Sequence, residues 1–295
     1  MTIDIMMPFY GDPGLFRAAV ESVLAQTDPR WRLVVVDDVY PDTAPGEWVA
    51  SLGDPRVEYV RNEVNLGVNG NFSKCVRLVG ADYFVLMGCD DLMEPGYVAS
   101  MLAAIETHPG AAYLQPGVTV IDDDGAAAMP LADRVKSWYR PRRREATVLT
   151  GQRLAVSLLR GNWTYFPSIC WRTDTVREYG FDASFDVVLD LALQLDIVLD
   201  GGDLVLLPEH TFCYRRHEGS VSSWTAQDGT RFDEERAFFL DVKRRLRARG
   251  WRSAARVASA HVSSRLNAAT RLPAALSTRD GAGIRSLLTH VFRGW

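Results

Sequence analysis

Two adjacent carboxylates, Asp90 and Asp91, close an apolar run in "YFVLMGCDDLMEP", residues 83 to 95. Like charges at that distance repel and raise one another's pKa. Such a pair persists only beside something that offsets it: water, a basic side chain or a metal ion. A second pair, Asp37 and Asp38, closes "RLVVVDD", residues 32 to 38. Asp186 and Asp190 stand in "FDASFDVVLDLALQLDIVLDGG", and "YRRHEGSVSS" sets Arg215, Arg216 and His217 side by side. Carboxylates can hold a hard cation or take up a proton, and the arginines can meet phosphate oxygens or face solvent.

Those groups must be positioned by the elements that precede them. "IDIMMPF" (3 to 9), "RLVVVDD" (32 to 38), "VEYVRN" (57 to 62) and "YFVLMG" (83 to 88) are rich in Val, Ile, Phe and Tyr and predict strands. Between them "PGLFRAAVESVLAQ", "PGEWVASL", "NGNFSKCVRLV" and "PGYVASMLAAIETH" space their apolar residues as helices do, with Pro or Asn at their starts. This alternation predicts a mostly parallel sheet covered on both faces. Ligands of such sheets bind beyond the carboxyl ends of the strands. There the first strand runs into "PFYGD", the second into Asp37 and Asp38, the third into "NEVNLG" and the fourth into Asp90 and Asp91. Acids from separate segments therefore meet at one edge.

Residues 123 to 150, with "DDDGAAAMP" and then "SWYRPRRREAT", have the composition of a loop. A helix over about 151 to 160, the aromatic segment "GNWTYFPSICWR", an amphipathic helix through Leu189, Leu193 and Leu199, and a strand "DLVLLPE" follow. Beyond residue 231 the pattern is helical.

The chain has 295 residues and a net charge of −4, with 47% hydrophobic and 24% charged residues, as in folded soluble domains. Charge is uneven. From Arg231 onward 13 Arg and one Lys face five acids, a net of +9, leaving −13 for the rest. A basic tail on an acidic body suggests an anionic partner such as a membrane surface, or else solvated arginines on a helical extension. Cys75, Cys89, Cys170 and Cys213 are widely spaced and predict thiols without disulfides. "MTIDIMMPFY" lacks the segments of a leader peptide and no run of 18 apolar residues occurs, so the expected location is the cytoplasm.

Taken together, "PFYGDPGLFRAAVESVLAQTDPRWRLVVVDD", "NLGVNGNF", "VLMGCDDLMEPGYV", the "LD" at 189 to 190 and "YRRHEGSVSS" resemble, in order and spacing, an inverting glycosyltransferase of family 2. The match runs over roughly residues 3 to 223. It implies an α/β GT-A fold: a mostly parallel central sheet flanked by helices, in a domain over 1 to 225. The nucleotide-sugar half would span about 1 to 122, the acceptor half about 123 to 225, and a basic helical region 226 to 295.

By that resemblance Pro8, Tyr10 and Asp38 hold the nucleotide. A carboxylate can accept from the N3 hydrogen of uracil or thymine, and a tyrosine can stack on the ring. Asp91 would hold Mn²⁺ or Mg²⁺ and Asp90 the sugar or ribose, with Cys89 where many members carry a polar residue. His217 would add a metal or diphosphate contact. Asn71 would lie near the nucleotide or cap a helix. The catalytic base would be Asp190, with Leu189 where Glu is common; Asp186, one helical turn earlier on the same face, is the second candidate. Trp163 and Tyr165 would stack on acceptor sugars or lie in the core.

The activity implied is transfer of a sugar from a UDP or dTDP donor to a hydroxyl of a glycan, a lipid-linked saccharide or a small natural product. No nucleic-acid partner is expected. The tail would make a homodimer or a peripheral contact at the inner face of the membrane. The alternative is a non-catalytic nucleotide-sugar-binding scaffold docked through its basic tail. A nucleotidyltransferase is disfavoured by "YRRHEGS" and the later acid.

Overall fold

The computed structural model of the chain describes residues 1–142, 144–216, 230–277 and 281–292. Its first half is the expected alternation. Strands β1 (Ile3–Phe9), β2 (Trp31–Asp37), β3 (Val57–Arg61) and β4 (Tyr83–Leu86) are parallel and lie in the order β3-β2-β1-β4. Helices α1 (Pro13–Leu24), α2 (Ala44–Ser51), α3 (Gly67–Leu78) and α4 (Tyr97–Thr107) return the chain between strands. β1 and β2 are buried along nearly their whole length, which is why they read as unbroken apolar runs. Asp12 starts α1 by accepting from the Gly14 and Leu15 amides at 2.8 and 2.9 Å.

The second half turns the sheet mixed. β8 (Cys170–Arg172) runs antiparallel between β4 and β6 (Tyr113–Ile121), and β9 (Asp203–Arg215) continues parallel to β6. β5 (Leu92–Met93) and β7 (Thr147–Thr150) each pair antiparallel with β9.

Residues 123 to 150 are therefore not simply a loop. They carry β7 and a helix, α5 (Leu131–Tyr139). What fixes α5 is tertiary: its Asp133, 1% exposed, accepts from the Tyr165 hydroxyl at 3.0 Å and from Arg216 at 2.9 Å. Neither partner is near in sequence, so local composition carries no trace of the helix.

The remaining helices are α6 (Gly151–Gly161), α7 (Thr173–Tyr179), α8 (Leu189–Leu199), α9 (Thr230–Ala248), α10 (Arg252–Ala260), α11 (Val262–Ser277) and α12 (Gly281–Phe292). Sequence spacing makes α8 amphipathic, yet Leu191, Ala192, Gln194, Ile197 and Val198 are buried along with its leucines. The face assigned to solvent is covered. Phe238 and Val242 of α9, Ala254 and Ala258 of α10, Leu154 and Leu158 of α6 and Leu195 of α8 belong to one hydrophobic core. The C-terminal helices α9 and α10 thus share the core of the sheet's own helices, while the expected boundary near 226 falls outside the described residues. All four cysteines are unbonded, and no described helix is long and apolar enough to cross a membrane.

Candidate active site

The carboxyl ends of β1, β2 and β4 run out along one edge of the sheet. Met6 of β1 accepts from the Met87 amide at 2.9 Å, and β4 ends at Leu86. Pro8, two residues further on, faces the same side past the end of β4, so its missing N–H costs no ladder bond. Tyr10 follows, 57% exposed, with its ring edge-on to Tyr40 at 5.8 Å.

The two aspartates after β2 have different tasks. Asp37 is fully buried and neutralised: it accepts from Tyr59 and Arg61, and from the Tyr40 amide at 2.7 Å. Asp38 accepts on Oδ1 from Asn62 and from the Leu66 amide, both at 2.7 Å. Among the described residues nothing bonds its Oδ2, so one oxygen is fixed and the other is unengaged. Between this pair and Tyr40 lies Val39 at φ 64°, a left-handed backbone that a β-branched residue adopts only under compulsion.

Asn71 does not reach the cleft and caps nothing. It sits inside α3, 3% exposed, donating to the Val36 carbonyl at 3.0 Å and accepting from Asn62 at 3.1 Å. Its amide braces the asparagine that holds Asp38.

Asp90 and Asp91 follow β4 in a turn closed by the pairing of β5 with β9. That pairing sets Asp91 beside Arg215, whose amide donates to Asp91 Oδ1 at 2.8 Å. A Cβ on Gly88 would lie 2.6 Å from Asp91 Oδ2 and 2.8 Å from Asp90 Oδ1, so both carboxylates lean over the same Cα and only glycine fits beneath them. Burial, and then the Asp90 charge, push the Asp91 carboxyl well above its usual range. The Arg215 amide and charge oppose that rise, but its guanidinium makes no direct bond to Asp91. That group donates to the carbonyls of Asp90, Asp122 and Asp123 at 2.7 to 2.9 Å and is a buried strut, not a phosphate contact. Cys89 packs against the backbone of the β1 loop, 3.2 Å from where a Gly11 Cβ would stand, and burial, then Asp90, push its thiol up to about 12.

The donor set tests a divalent cation directly. Two hard carboxylates converge, one buried and destabilised in its charged form, and the neighbouring thiol stays protonated. Among the described residues no group of three or more His, Cys, Asp or Glu gathers at one point. Two hard oxygen donors are of the type a divalent cation such as Mg²⁺ or Mn²⁺ takes, and Asp91 and Asp90 are the residues that would hold one. His217 lies outside the described residues.

Asp190 stands in the first turn of α8, partly buried, accepting from the Leu191 amide at 2.7 Å and from the Asn162 amide at 3.1 Å. Asn162 sits after α6 at φ 28°; its Oδ1 accepts from Thr164 at 2.9 Å, and Gln194 donates to both Thr164 Oγ1 and the Asp190 carbonyl at 3.1 Å. Lys136 of α5 donates to the Thr164 carbonyl at 3.1 Å, and burial, then the Arg216 charge, pull its ammonium down to about 8. Asp186 is exposed in a bend before the helix begins, so it shares no helical face with Asp190.

Trp163 and Tyr165 are core residues. Trp163 is fully buried and donates to Ser157 at 3.0 Å, and Tyr165 bonds Asp133. Arg216 is engaged by the same Asp133. Asn162, Thr164, Gln194, Lys136 and Asp133 escaped the sequence analysis. The one local signal was the Asn-Trp-Thr of the aromatic segment, where an asparagine ending a helix suits a left-handed residue.

A parallel four-stranded half continued by a mixed half, with an aspartate turn at the carboxyl edge, is the GT-A fold. The S. aureus TarS 1–349 structure in complex with UDP-GlcNAc superposes with a TM-score of 0.66 at 13% identity, covering 99% of this chain and 90% of that one. The model of glycosyl transferase family 2 matches residues 4–172, more than half the chain, and the chain belongs to that family. The succinoglycan biosynthesis protein ExoO of Rhizobium meliloti is 24% identical over 225 residues, 75% of this chain and 62% of that protein. An uncharacterized protein of Sinorhizobium fredii, y4gI, is 30% identical over 112 residues, 37% of this chain and 12% of that protein. The chain thus spans less than two thirds of the length of both curated relatives.

Proposed function

We propose that the protein is an inverting, metal-dependent glycosyltransferase that moves a sugar from a UDP or dTDP donor to a hydroxyl of a saccharide acceptor. What carries this is the turn that brings Asp90 and Asp91 together over Gly88, at the carboxyl edge of a family 2 chain. UDP is the first base to test, because the TarS structure was solved with UDP-GlcNAc. ExoO is named for succinoglycan biosynthesis, which supports a saccharide acceptor.

In this mechanism Tyr10 stacks on the base, Pro8 shapes the turn beneath it and Asp38 Oδ2 accepts from the ring N3 hydrogen. Asp91 would hold Mn²⁺ or Mg²⁺, and Asp90 would face the sugar or ribose. When bound, the cation neutralises charge on the departing diphosphate. Asp190, oriented by Asn162, takes the proton of the acceptor hydroxyl as its oxygen attacks the anomeric carbon opposite the leaving group.

Asp190→Asn is the test of the base. Turnover should fall by about 10²-fold or more with donor affinity unchanged; full activity in that variant would remove Asp190 from the role.

A further inference from the structure

The arginines of the C-terminal helices divide into two sets. Arg231, Arg236, Arg244 and Arg245 of α9 each pair with a carboxylate: Glu235, Asp233, Asp241 and Asp196. The side chains of Arg247, Arg252 and Arg256 have neither an ion pair nor a hydrogen bond among the described residues. These three, with Arg265, line one open groove of about 900 Å³ formed by the end of α9, α10 and the start of α11. Its other lining residues include Ser259 and Val262, and no carboxylate is among them.

The guanidinium groups of Arg247, Arg252 and Arg256, gathered along one groove beside Arg265, make a concentration of positive charge that an anion relieves. Arg265 is fixed at the wall, donating to His261 Nε2 and to the Val291 carbonyl at 3.2 Å. Arg252 and Arg256 stand exposed one turn apart on α10, so two planar forks can approach one ligand from the same side. Guanidinium forks match the paired oxygens of a phosphoryl group.

We propose that this groove is a second anion site, which binds the phosphoryl oxygens of an anionic ligand. It is built on elements other than those bearing Asp38, Asp91 and Asp190. Val262 and Leu266, 54% and 60% exposed a turn apart on α11, stand beside the arginines and make a phospholipid headgroup one source of the phosphoryl group; a soluble phosphorylated ligand is the other.

The test uses the full chain, wild type and R252A/R256A, with inorganic pyrophosphate followed by calorimetry and with phosphatidylglycerol or phosphatidylcholine vesicles followed by sedimentation. Both side chains are exposed, and a thermal unfolding curve matching the wild type establishes that the variant folds. The proposal expects wild-type binding of pyrophosphate, of phosphatidylglycerol vesicles or of both, weakened about tenfold or more in R252A/R256A. Partial retention is expected in R252K/R256K, which keeps charge but loses the forks. Pyrophosphate alone assigns a soluble ligand; vesicles alone assign the headgroup. Binding of neither, or binding that R252A/R256A leaves unchanged, overturns the site.

Discussion

At the scale of single residues, the aspartates divide into those that support and those that act. Asp37 satisfies Tyr59, Arg61 and a backbone amide, whereas Asp38, its neighbour, has one oxygen bonded and, among the described residues, the other unengaged. Adjacent identical residues look alike in sequence, and only the sheet's alternation of faces separates them. Asn162 is the residue most open to a decisive substitution. Its φ of 28° suits glycine as well as asparagine, so Asn162→Gly keeps the backbone and removes only the amide that orients Asp190. Turnover should drop by about tenfold, less than the loss from removing the base itself, with donor affinity retained. Steady-state kinetics and donor titration check this, and a change in donor affinity alone would contradict the orienting role.

At the scale of elements, the start of α8 is held by the C-terminal region. Glu234 of α9 accepts from the Val187 and Val188 amides at 2.7 and 2.9 Å, satisfying donors that a helix start leaves unbonded. Glu234→Ala should cost about 1–3 kcal/mol in urea unfolding and lower turnover, because Asp190 lies one turn on. Helices α9, α11 and α12 also enclose a polar cluster: Ser264 donates to Glu235 and lies 2.6 Å from His290 Nε2, and His261 stacks on Phe239 at 4.9 Å. Burial pulls both imidazoles down from 6.5 to about 4, with Arg265 and Arg236 adding to the effect and Glu235 and Asp233 opposing it. The unfolded chain then binds protons that the folded one refuses. Stability from this source is whole above about pH 6.5 and is lost as pH falls towards 4. Unfolding free energies measured between pH 7 and 4.5 should decline with that slope, and the decline should shrink in His290→Asn. A flat profile would contradict neutral buried imidazoles.

At the scale of the molecule, the first 120 residues were the most legible in sequence. Parallel strands buried on both faces announce themselves as apolar runs, and their carboxyl ends fall where the acids are. What stayed hidden depends on contacts between distant segments. Helix α5 exists because Asp133 meets Tyr165 and Arg216, and α8 is buried because α9 covers it. Asp186 illustrates the limit of spacing arguments: its interval from Asp190 is helical, but the helix begins three residues later. The same dependence makes the whole chain the proper object for functional tests, since α9 and α10 share the core beneath the site. The most direct test is a calorimetric titration of UDP in the presence of Mn²⁺ or EDTA, with wild type and Asp91→Asn. The account predicts binding by the wild type that EDTA abolishes and that Asp91→Asn weakens at least about tenfold. UDP binding that ignores both EDTA and the loss of the Asp91 charge would contradict it.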